Sequence, residues 1–231
     1  MKVVFATFGL ARFVYLKSLS YKIKMNDYTV VDYILDSNIE GAFVECGVQT
    51  GKIEMIWMSA LKRRNELSRD IYLYDTFTGL TEPGEKDVGI YNGLNSPQDV
   101  YNEWKRHNVD DVNTWCYCPL GKVMSDLHSM HYPFHKLHFI AGDVRETLLN
   151  ENNIPKKIAI LRLDTDWYDS SKVELETMFK YLVPGGVLIL DDYFYWKGQK
   201  DATDEFFKGT KYQYLITRVS IPDSHVAYLI K

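Results

Sequence analysis

The sequence predicts an α/β fold with an open, mostly parallel sheet and helices on both faces. Strand-like and helix-like segments alternate along most of the chain. Most of the strand-like segments are continuously apolar, as in a sheet that is covered on both sides. A length of 231 residues suits one such domain, which is expected to span residues 1–231.

Five segments have the composition of buried parallel strands. Each is a short apolar run that ends at a glycine, an acidic residue or both. In chain order they are 41–47 (GAFVECG), 71–75 (IYLYD), 137–141 (LHFIA), 158–164 (IAILRLD) and 187–190 (VLIL). Two further segments, 214–219 and 225–230, are expected to close the chain as an antiparallel pair.

Helical periodicity connects these strands. Apolar side chains recur three and four positions apart in residues 53–61 and 175–182, which is the spacing of one helix face. The second helix is expected to be capped near Asp169 or Ser170 and to stop at the Pro-Gly-Gly run at 184–186. Residues 202–207 are also expected to be helical.

Two regions interrupt the alternation. Residues 1–40 contain apolar side chains at helical spacing, and they are predicted to form an N-terminal helical cap. Residues 84–135 are too long for an ordinary connection and are rich in Gly, Asn, His and aromatic residues. Such an insertion is typical of a lid or a substrate-binding segment.

Charge and cysteine content exclude several classes of protein. The net charge is -4, and no basic tract indicates nucleic acid or an anionic membrane as a partner. The apolar N-terminus is short and is interrupted by basic residues, so neither a signal peptide nor a membrane span is expected. Three cysteines without a CxxC pair, Cys46, Cys116 and Cys118, predict structural thiols in a cytoplasmic protein.

Acidic residues lie at the ends of all five predicted parallel strands. Ligands of open α/β sheets bind beyond the carboxyl ends of the strands, so these acids are expected on one rim. They are Glu45, Asp75, Asp143, Asp164, Asp166, Asp191 and Asp192. Such a rim predicts cationic ligands, hydroxyl-rich ligands, or both.

The first three strand ends predict a nucleoside site. The first turn, E-x-G-x-x-x-G, carries a negative charge that disfavours phosphate and suits an ammonium group such as that of a methionine moiety. Asp75 can accept hydrogen bonds from two ribose hydroxyls, and Asp143 can accept one from an adenine amino group. The candidate cofactor-binding residues are Glu45, Gly47, Val48, Gly51, Asp75, Thr76, Gly142, Asp143 and Val144.

The last two strand ends predict a metal site. Only one helix separates the aspartate pair after the fourth strand from the pair after the fifth, and neighbouring strands lie about 4.8 Å apart. Acids this close repel one another unless a hard divalent cation neutralises them, and oxygen ligands favour Mg²⁺ or Mn²⁺. Alternatively, some of these acids cap helices or pair with Arg162 or Lys197.

Four histidines, at positions 128, 131, 135 and 138, fall within eleven residues of the chain. A zinc site is conceivable, but Pro133 interrupts the segment and His138 falls within a predicted strand. A contact with substrate and ordinary packing are the alternatives.

Five motifs together resemble the TylF-like macrocin O-methyltransferase family. In chain order they are GAFVECGVQTG, YLYDTFTGL, AGDVRETL, LRLDTDWYDSS and GGVLILDDY. The resemblance implies a Rossmann-like class I methyltransferase fold with a seven-stranded sheet. It also implies S-adenosyl-L-methionine as the methyl donor, together with Mg²⁺ or Mn²⁺.

The resemblance also implies roles for the last acids. The family's metal ligands match Asp164, Asp191 and Asp192 by position. Asp164 also matches the residue proposed as general base, and Asp166 matches the second acid of the same D-x-D motif. Thr165 and Trp167 stand where relatives often have glycine and an aliphatic residue.

The implied activity is methylation of a sugar hydroxyl, on a nucleotide sugar, a glycan or a glycosylated natural product. A phenol or catechol acceptor is an alternative, as is a nucleotide-binding oxidoreductase, since such enzymes also place an acid at the position of Asp75. A non-catalytic binding module is disfavoured because the acidic cluster is complete. Relatives also suggest a homodimer.

Overall fold

A computed structural model describes residues 27–90, 92–218 and 225–231 of the chain. The helices are α1 (Asp27–Asp36), α2 (Lys52–Arg63), α3 (Pro97–Arg106), α4 (Leu120–Ser129), α5 (Val144–Thr147), α6 (Tyr168–Met178) and α7 (Lys197–Phe207). The strands are β1 (Ala42–Cys46), β2 (Ile71–Asp75), β3 (Asn108–Val109), β4 (Val112–Asn113), β5 (Leu137–Ala141), β6 (Ile158–Leu163), β7 (Leu182–Leu190), β8 (Thr217–Arg218) and β9 (Ala227–Ile230). Short 3₁₀ turns occupy Phe134–Lys136, Glu151–Asn153 and Phe179–Tyr181.

Within the described residues, seven strands form one sheet in the order β5-β2-β1-β6-β7-β9-β8. Strands β1, β2, β5, β6 and β7 are parallel to one another, whereas β9 is antiparallel to both β7 and β8. This arrangement confirms the predicted mostly parallel seven-stranded sheet and its closing antiparallel pair. The strand order reverses direction at β1, so a crevice opens beyond the ends of the central strands.

Alternate residues of the central strands enter two different cores. Phe43 and Ile160 face a layer that includes α1, α2 and α4, whereas Val44 and Leu161 face a layer that includes α6 and the end of α7. All four side chains are fully buried. The continuously apolar strand segments are therefore explained by a sheet that is covered on both sides.

The last parallel strand starts earlier than the sequence predicts. The Pro-Gly-Gly run at 184–186 lies inside β7 and does not simply end the preceding helix. The pairing of β6 with β7 changes register between Ile158 and Ile160, opposite this run. The irregularity lets the strand pass a residue that cannot donate a ladder hydrogen bond.

Helix α6 begins at Tyr168, and its own first turn supplies no side-chain cap. The expected cap near Asp169 or Ser170 is therefore wrong. Instead Asp87, which lies 81 positions earlier in the predicted insertion, accepts a hydrogen bond from the Tyr168 backbone N–H over 2.7 Å. The second oxygen of Asp87 accepts from the Gly84 N–H over 2.7 Å.

The predicted insertion has two structurally different parts. Its second half forms α4, whose Val123 and Leu127 are fully buried in the main core. Its first half carries α3 and the short β3–β4 hairpin and approaches the carboxyl end of the sheet. Only this first half lies where a lid or binding segment was expected.

The described part of the predicted N-terminal cap is α1, which packs Val30, Val31 and Ile34 into the core. Residues 1–26 of that cap lie outside the described residues. None of the helices in the described part combines the length and hydropathy that a membrane crossing requires.

Candidate functional site

A cavity of about 300 Å³ lies at the carboxyl ends of the parallel strands. Its walls bring together residues from the ends of all five parallel strands and from the first half of the predicted insertion. Ten residues that the sequence singled out line it: Gly47, Asp75, Thr76, Gly142, Asp143, Val144, Asp164, Asp166, Asp191 and Asp192. A cavity of this volume is within the usual range for small-molecule sites.

Asp75 is held in place at the end of β2 by backbone donors. One carboxylate oxygen accepts from the Gln49 N–H over 2.8 Å, and the other accepts from the Phe77 N–H over 2.6 Å. Burial raises the pKa of Asp75, and these backbone hydrogen bonds oppose that rise. The fixed carboxylate is suited to accept hydrogen bonds from the hydroxyls of a ligand.

Asp143 has a structural task as well as a place on the cavity wall. It caps α5, accepting from the Arg145 backbone N–H over 2.9 Å. Its carboxylate also binds the Arg145 guanidinium. These contacts leave only part of its hydrogen-bonding capacity for a ligand.

Three of the candidate cofactor-binding residues, Glu45, Val48 and Gly51, do not line the cavity. Glu45 lies inside strand β1 with its side chain 1% exposed, and its carboxylate accepts from the Arg162 Nε–H over 2.8 Å. The expectation that Glu45 faces a ligand is therefore wrong. A residue within a strand, rather than after it, points into the layer beside the sheet.

The two glycines of the first turn are required by packing against protein. A Cβ on Gly47 would lie 1.8 Å from the carbonyl oxygen of Asp164. A Cβ on Gly51 would lie 3.2 Å from the side chains of Val123 and Leu127 in α4. Both glycines also have positive φ, at 90° and 75°, which an L side chain rarely adopts.

Asp164, Asp191 and Asp192 form the acidic end of the cavity. One carboxylate oxygen from each lies within 4.8 Å of the others. Two of these carboxylates share a guanidinium, because Arg162 Nη2 donates to Asp164 over 2.9 Å and to Asp191 over 2.5 Å. The alternative that Arg162 pairs with these acids is thus confirmed, whereas Lys197 pairs with Asp201.

The chemistry of this triad fits a hard cation. Asp192 is 8% exposed, and its buried Oδ2 has no hydrogen-bond partner among the described residues. Burial raises the pKa of Asp192 well above its usual range, and the neighbouring Asp166 and Asp164 raise it further. Burial also raises the pKa of Asp164 to about 7, with Asp191 adding to the shift. An ion bound by the three oxygens would satisfy the orphaned atom and relieve the repulsion.

Asp166 is a neighbour of the triad but is not one of its three carboxylates, and it has a different hydrogen-bond partner. Its backbone has a left-handed φ of 65°. Its Oδ1 accepts from the indole N–H of Trp196 over 2.6 Å. Burial is the first cause that raises its pKa well above the usual value, and the charge of Asp164 is the second.

Two buried carboxyl groups behind the site were missed by the sequence analysis. Glu54 of α2 is fully buried, and its pKa is raised to about 7 chiefly by burial. Glu174 of α6 is also fully buried, and its pKa is raised to about 8 for the same reason. Thr165 of the D-x-D motif donates to Glu174 over 2.9 Å. Each residue occupies a helix position that periodicity marks only as core-facing.

The cysteines and histidines give a mixed result. All three cysteines are free, and Cys116 lines the cavity. The histidines do not converge: His138 pairs with Asp70 over 2.9 Å, and His128 packs against Phe134. In the described part of the chain, the aspartate triad is the one group of three or more potential ligands placed to share a metal.

Comparison with known proteins identifies one matching family. Residues 22–226 match the family described as macrocin O-methyltransferase (TylF). The chain is 26% identical over 163 residues to an 8-demethyl-8-(2,3-dimethoxy-alpha-L-rhamnosyl)-tetracenomycin-C 4'-O-methyltransferase of Streptomyces olivaceus, covering 71% of this chain and 57% of the relative. It is 24% identical over 176 residues to demethyldecarbamoylnovobiocin O-methyltransferase of Streptomyces niveus, covering 76% and 62%. The chain thus spans about three fifths of the length of these relatives.

Solved structures give the same fold. The O-methyltransferase NovP superposes with a TM-score of 0.72 at 22% identity, covering 89% of this chain and 78% of that chain. The calicheamicin methyltransferase CalS11 superposes with a TM-score of 0.62 at 20% identity, covering 88% and 76%. These similarities confirm the class I methyltransferase fold.

Proposed function

Because the chain belongs to the TylF macrocin O-methyltransferase family, we propose that it transfers the methyl group of S-adenosylmethionine to a sugar hydroxyl. The observation that carries the proposal is one cavity with Asp75 on one wall and four further aspartates on another. The proposed reaction needs two parts: a carboxylate that can bind a ribose and a carboxylate cluster that can bind a cation.

The acceptor in this proposal is a sugar attached to a natural product. Relatives of the chain are described as acting on a rhamnosyl tetracenomycin and on mycinamicin III. Hydroxyl-rich acceptors also suit a cavity rimmed by carboxylates, which accept hydrogen bonds from hydroxyl groups. A homodimer and a cytoplasmic location remain predictions.

Asp164, Asp191 and Asp192 would hold the divalent cation, Mg²⁺ or Mn²⁺. When bound, such a cation acts as a Lewis acid that lowers the pKa of a hydroxyl group in contact with it. Arg162 keeps the Asp164 and Asp191 carboxylates close together and therefore helps to preorganise the cation site.

Asp166 is the better candidate to receive the proton of the acceptor hydroxyl. Asp164, which the sequence favoured, is already engaged by Arg162 and belongs to the cation triad. In the reaction the hydroxyl oxygen bonds to the methyl carbon, the carbon–sulfur bond breaks, and its electron pair stays on sulfur as a neutral thioether. The hydroxyl proton goes to Asp166 Oδ2, since the Trp196 N–H occupies Oδ1.

Activity measurements test this proposal. The full chain would be incubated with labelled S-adenosylmethionine, MgCl₂ and either glycosylated natural products with a free sugar hydroxyl or simple catechols. We expect label on the sugar acceptors and loss of labelling after exhaustive chelation. Asp192→Asn should lower turnover by roughly 10²-fold or more because a metal ligand is lost, and Asp110→Asn on an exposed turn should not change it.

Two outcomes would contradict the proposal. Labelling of catechols alone would replace the sugar acceptor with a phenolic one. Full activity after chelation, or in Asp192→Asn, would remove the cation from the reaction.

A further inference from the structure

Trp196 lies beside the acidic end of the cavity without lining it. Its side chain is 2% exposed, and its indole Nε1–H donates to Asp166 Oδ1 over 2.6 Å. This donor–acceptor distance lies at the short end of the range for N–H···O hydrogen bonds. This contact therefore fixes one carboxylate oxygen of Asp166, a residue that lines the cavity.

Asp166 needs such a partner because its backbone alone does not favour its position. A φ of 65° is uncommon for a residue other than glycine, and it persists only where the surroundings hold it. Asp166 is the central residue of a tight turn, in which the Trp167 N–H donates to the Thr165 carbonyl over 2.7 Å. The side-chain contact with Trp196 is a long-range restraint on this turn.

The donor is itself immobilised from several directions. The Trp196 ring meets the rings of Trp167 and Trp115 edge to face, with centroids 5.1 Å and 6.1 Å away. Its backbone N–H donates to the carbonyl of Asp192, a member of the aspartate triad, over 2.9 Å. A donor with so little freedom loses little entropy when it binds the carboxylate.

The same cluster also contacts other residues that line the cavity. The Trp167 indole N–H donates to the carbonyl of Thr81, a residue that lines the cavity. Trp115 comes from the predicted insertion, shortly after the β3–β4 hairpin, and is next to Cys116, which also lines the cavity. The three indoles therefore connect Asp166 with other residues of the cavity lining, Thr81 and Cys116.

We infer that Trp196 is a positioning residue, which acts on the reaction by orienting the Asp166 carboxylate toward the acceptor hydroxyl. The inference rests on the proposed function, in which Asp166 receives the proton. It does not involve the cation, since Asp166 is outside the triad. Trp196 is therefore expected to affect turnover and not cofactor or metal affinity.

The contact can be observed without any activity. The chain has five tryptophans, so a ¹⁵N-labelled sample gives five indole N–H signals, and Trp196→Phe identifies the one from Trp196. In Asp166→Asn this signal should move upfield, because a neutral amide oxygen is a weaker acceptor than a carboxylate. The signal of Trp57, whose N–H has no partner among the described residues, should stay in place.

Kinetics test the role. Trp196→Phe should lower kcat at least about tenfold, a part of the 10²- to 10⁴-fold effect of acid–base catalysis. The KM for S-adenosylmethionine and the Mn²⁺ dissociation constant, measured calorimetrically with MnCl₂ alone, should stay within about twofold, because Trp196→Phe removes only the indole N–H and keeps the backbone hydrogen bond to Asp192. Trp57→Phe in the core is the matched control, and its kcat should be unchanged.

A double variant separates a role through Asp166 from general damage to the fold. If Trp196 acts through Asp166, then Trp196→Phe added to Asp166→Asn should cause no further loss of kcat. Multiplying effects, an unchanged kcat in Trp196→Phe, or an unmoved indole signal in Asp166→Asn would each overturn the inference. Absence of turnover in the wild-type chain with every sugar acceptor would instead overturn the proposed function, and this role with it.

Discussion

Arg162 gives three carboxylates a common partner at the base of the site. Its guanidinium binds Glu45 through Nε and both Asp164 and Asp191 through Nη2. A planar guanidinium with donors in a fixed fork can hold several carboxylates at once, whereas a lysine is a single point charge. Two ligands of the triad are thus held together by the protein, and a cation must compete with Arg162 for them.

Glu174 is a residue whose charge state should show in the stability of the fold. Burial raises its pKa from an ordinary value near 4.5 to about 8, so the folded chain holds this proton more tightly than the unfolded chain. Its contribution to the free energy of unfolding is full below about pH 4.5 and falls as the pH rises toward 8. The slope is at most about 1.4 kcal/mol per pH unit for one proton.

Glu174→Gln should remove this slope. The amide keeps an oxygen for the Thr165 hydroxyl but does not ionise. We expect the variant to gain stability relative to the wild type between pH 5 and 8, as measured by urea unfolding across that range. Glu176→Gln, on an exposed position of the same helix, is the control and should follow the wild type. Parallel curves for wild type and Glu174→Gln would show that Glu174 is ionised throughout.

The start of α6 shows how the insertion and the main domain depend on each other. Helix α6 follows directly after the D-x-D motif, so its first turn helps to fix the acids of the site. Asp87 supplies the cap for that turn, and the N–H of Lys197 at the start of α7 donates to the Val88 carbonyl over 2.8 Å. The segment around residues 84–90 is thus bonded to the starts of both helices that flank the site.

Asp87→Ala should therefore destabilise the protein. It leaves the N–H groups of Gly84 and Tyr168 without their acceptor, at about 1–3 kcal/mol of unfolding free energy. Asp87→Asn should lose less, because its amide oxygen can still accept from one of them. Urea unfolding measures the difference, with the exposed Glu85→Ala as control. Equal stability of Asp87→Ala and Glu85→Ala would mean that Asp87 does not cap α6.

At the scale of the whole molecule, the sheet was predictable because most of its buried strands are runs of apolar residues in the sequence. A short, continuous apolar run such as 187–190, bounded by Gly186 and Asp191, is typical of a strand that is covered on both faces. The convergence of the cavity acids was also predictable, since each lies at or just beyond the carboxyl end of a parallel strand. Parallel strands bring those positions to one rim.

The remaining features depend on contacts that sequence spacing does not encode. Asp87 lies 81 positions from the helix it caps, and Trp196 lies 30 positions from the acid it holds. Glu45 differs from the other acids because it lies within its strand, one residue before the end of β1. The sequence motif alone could not distinguish an acid that faces the cavity from one that is buried beside it.

The proposed function depends above all on a rim with a nucleoside side and a cation side. A crystal structure of the full chain with S-adenosylhomocysteine and Mn²⁺ tests it most directly, because the anomalous signal locates the metal independently of the ligand. We expect an anomalous peak for Mn²⁺ between Asp164, Asp191 and Asp192, with the ribose hydroxyls hydrogen-bonded to Asp75. The absence of an anomalous peak at the triad, or a ribose bound away from Asp75, would contradict the proposal.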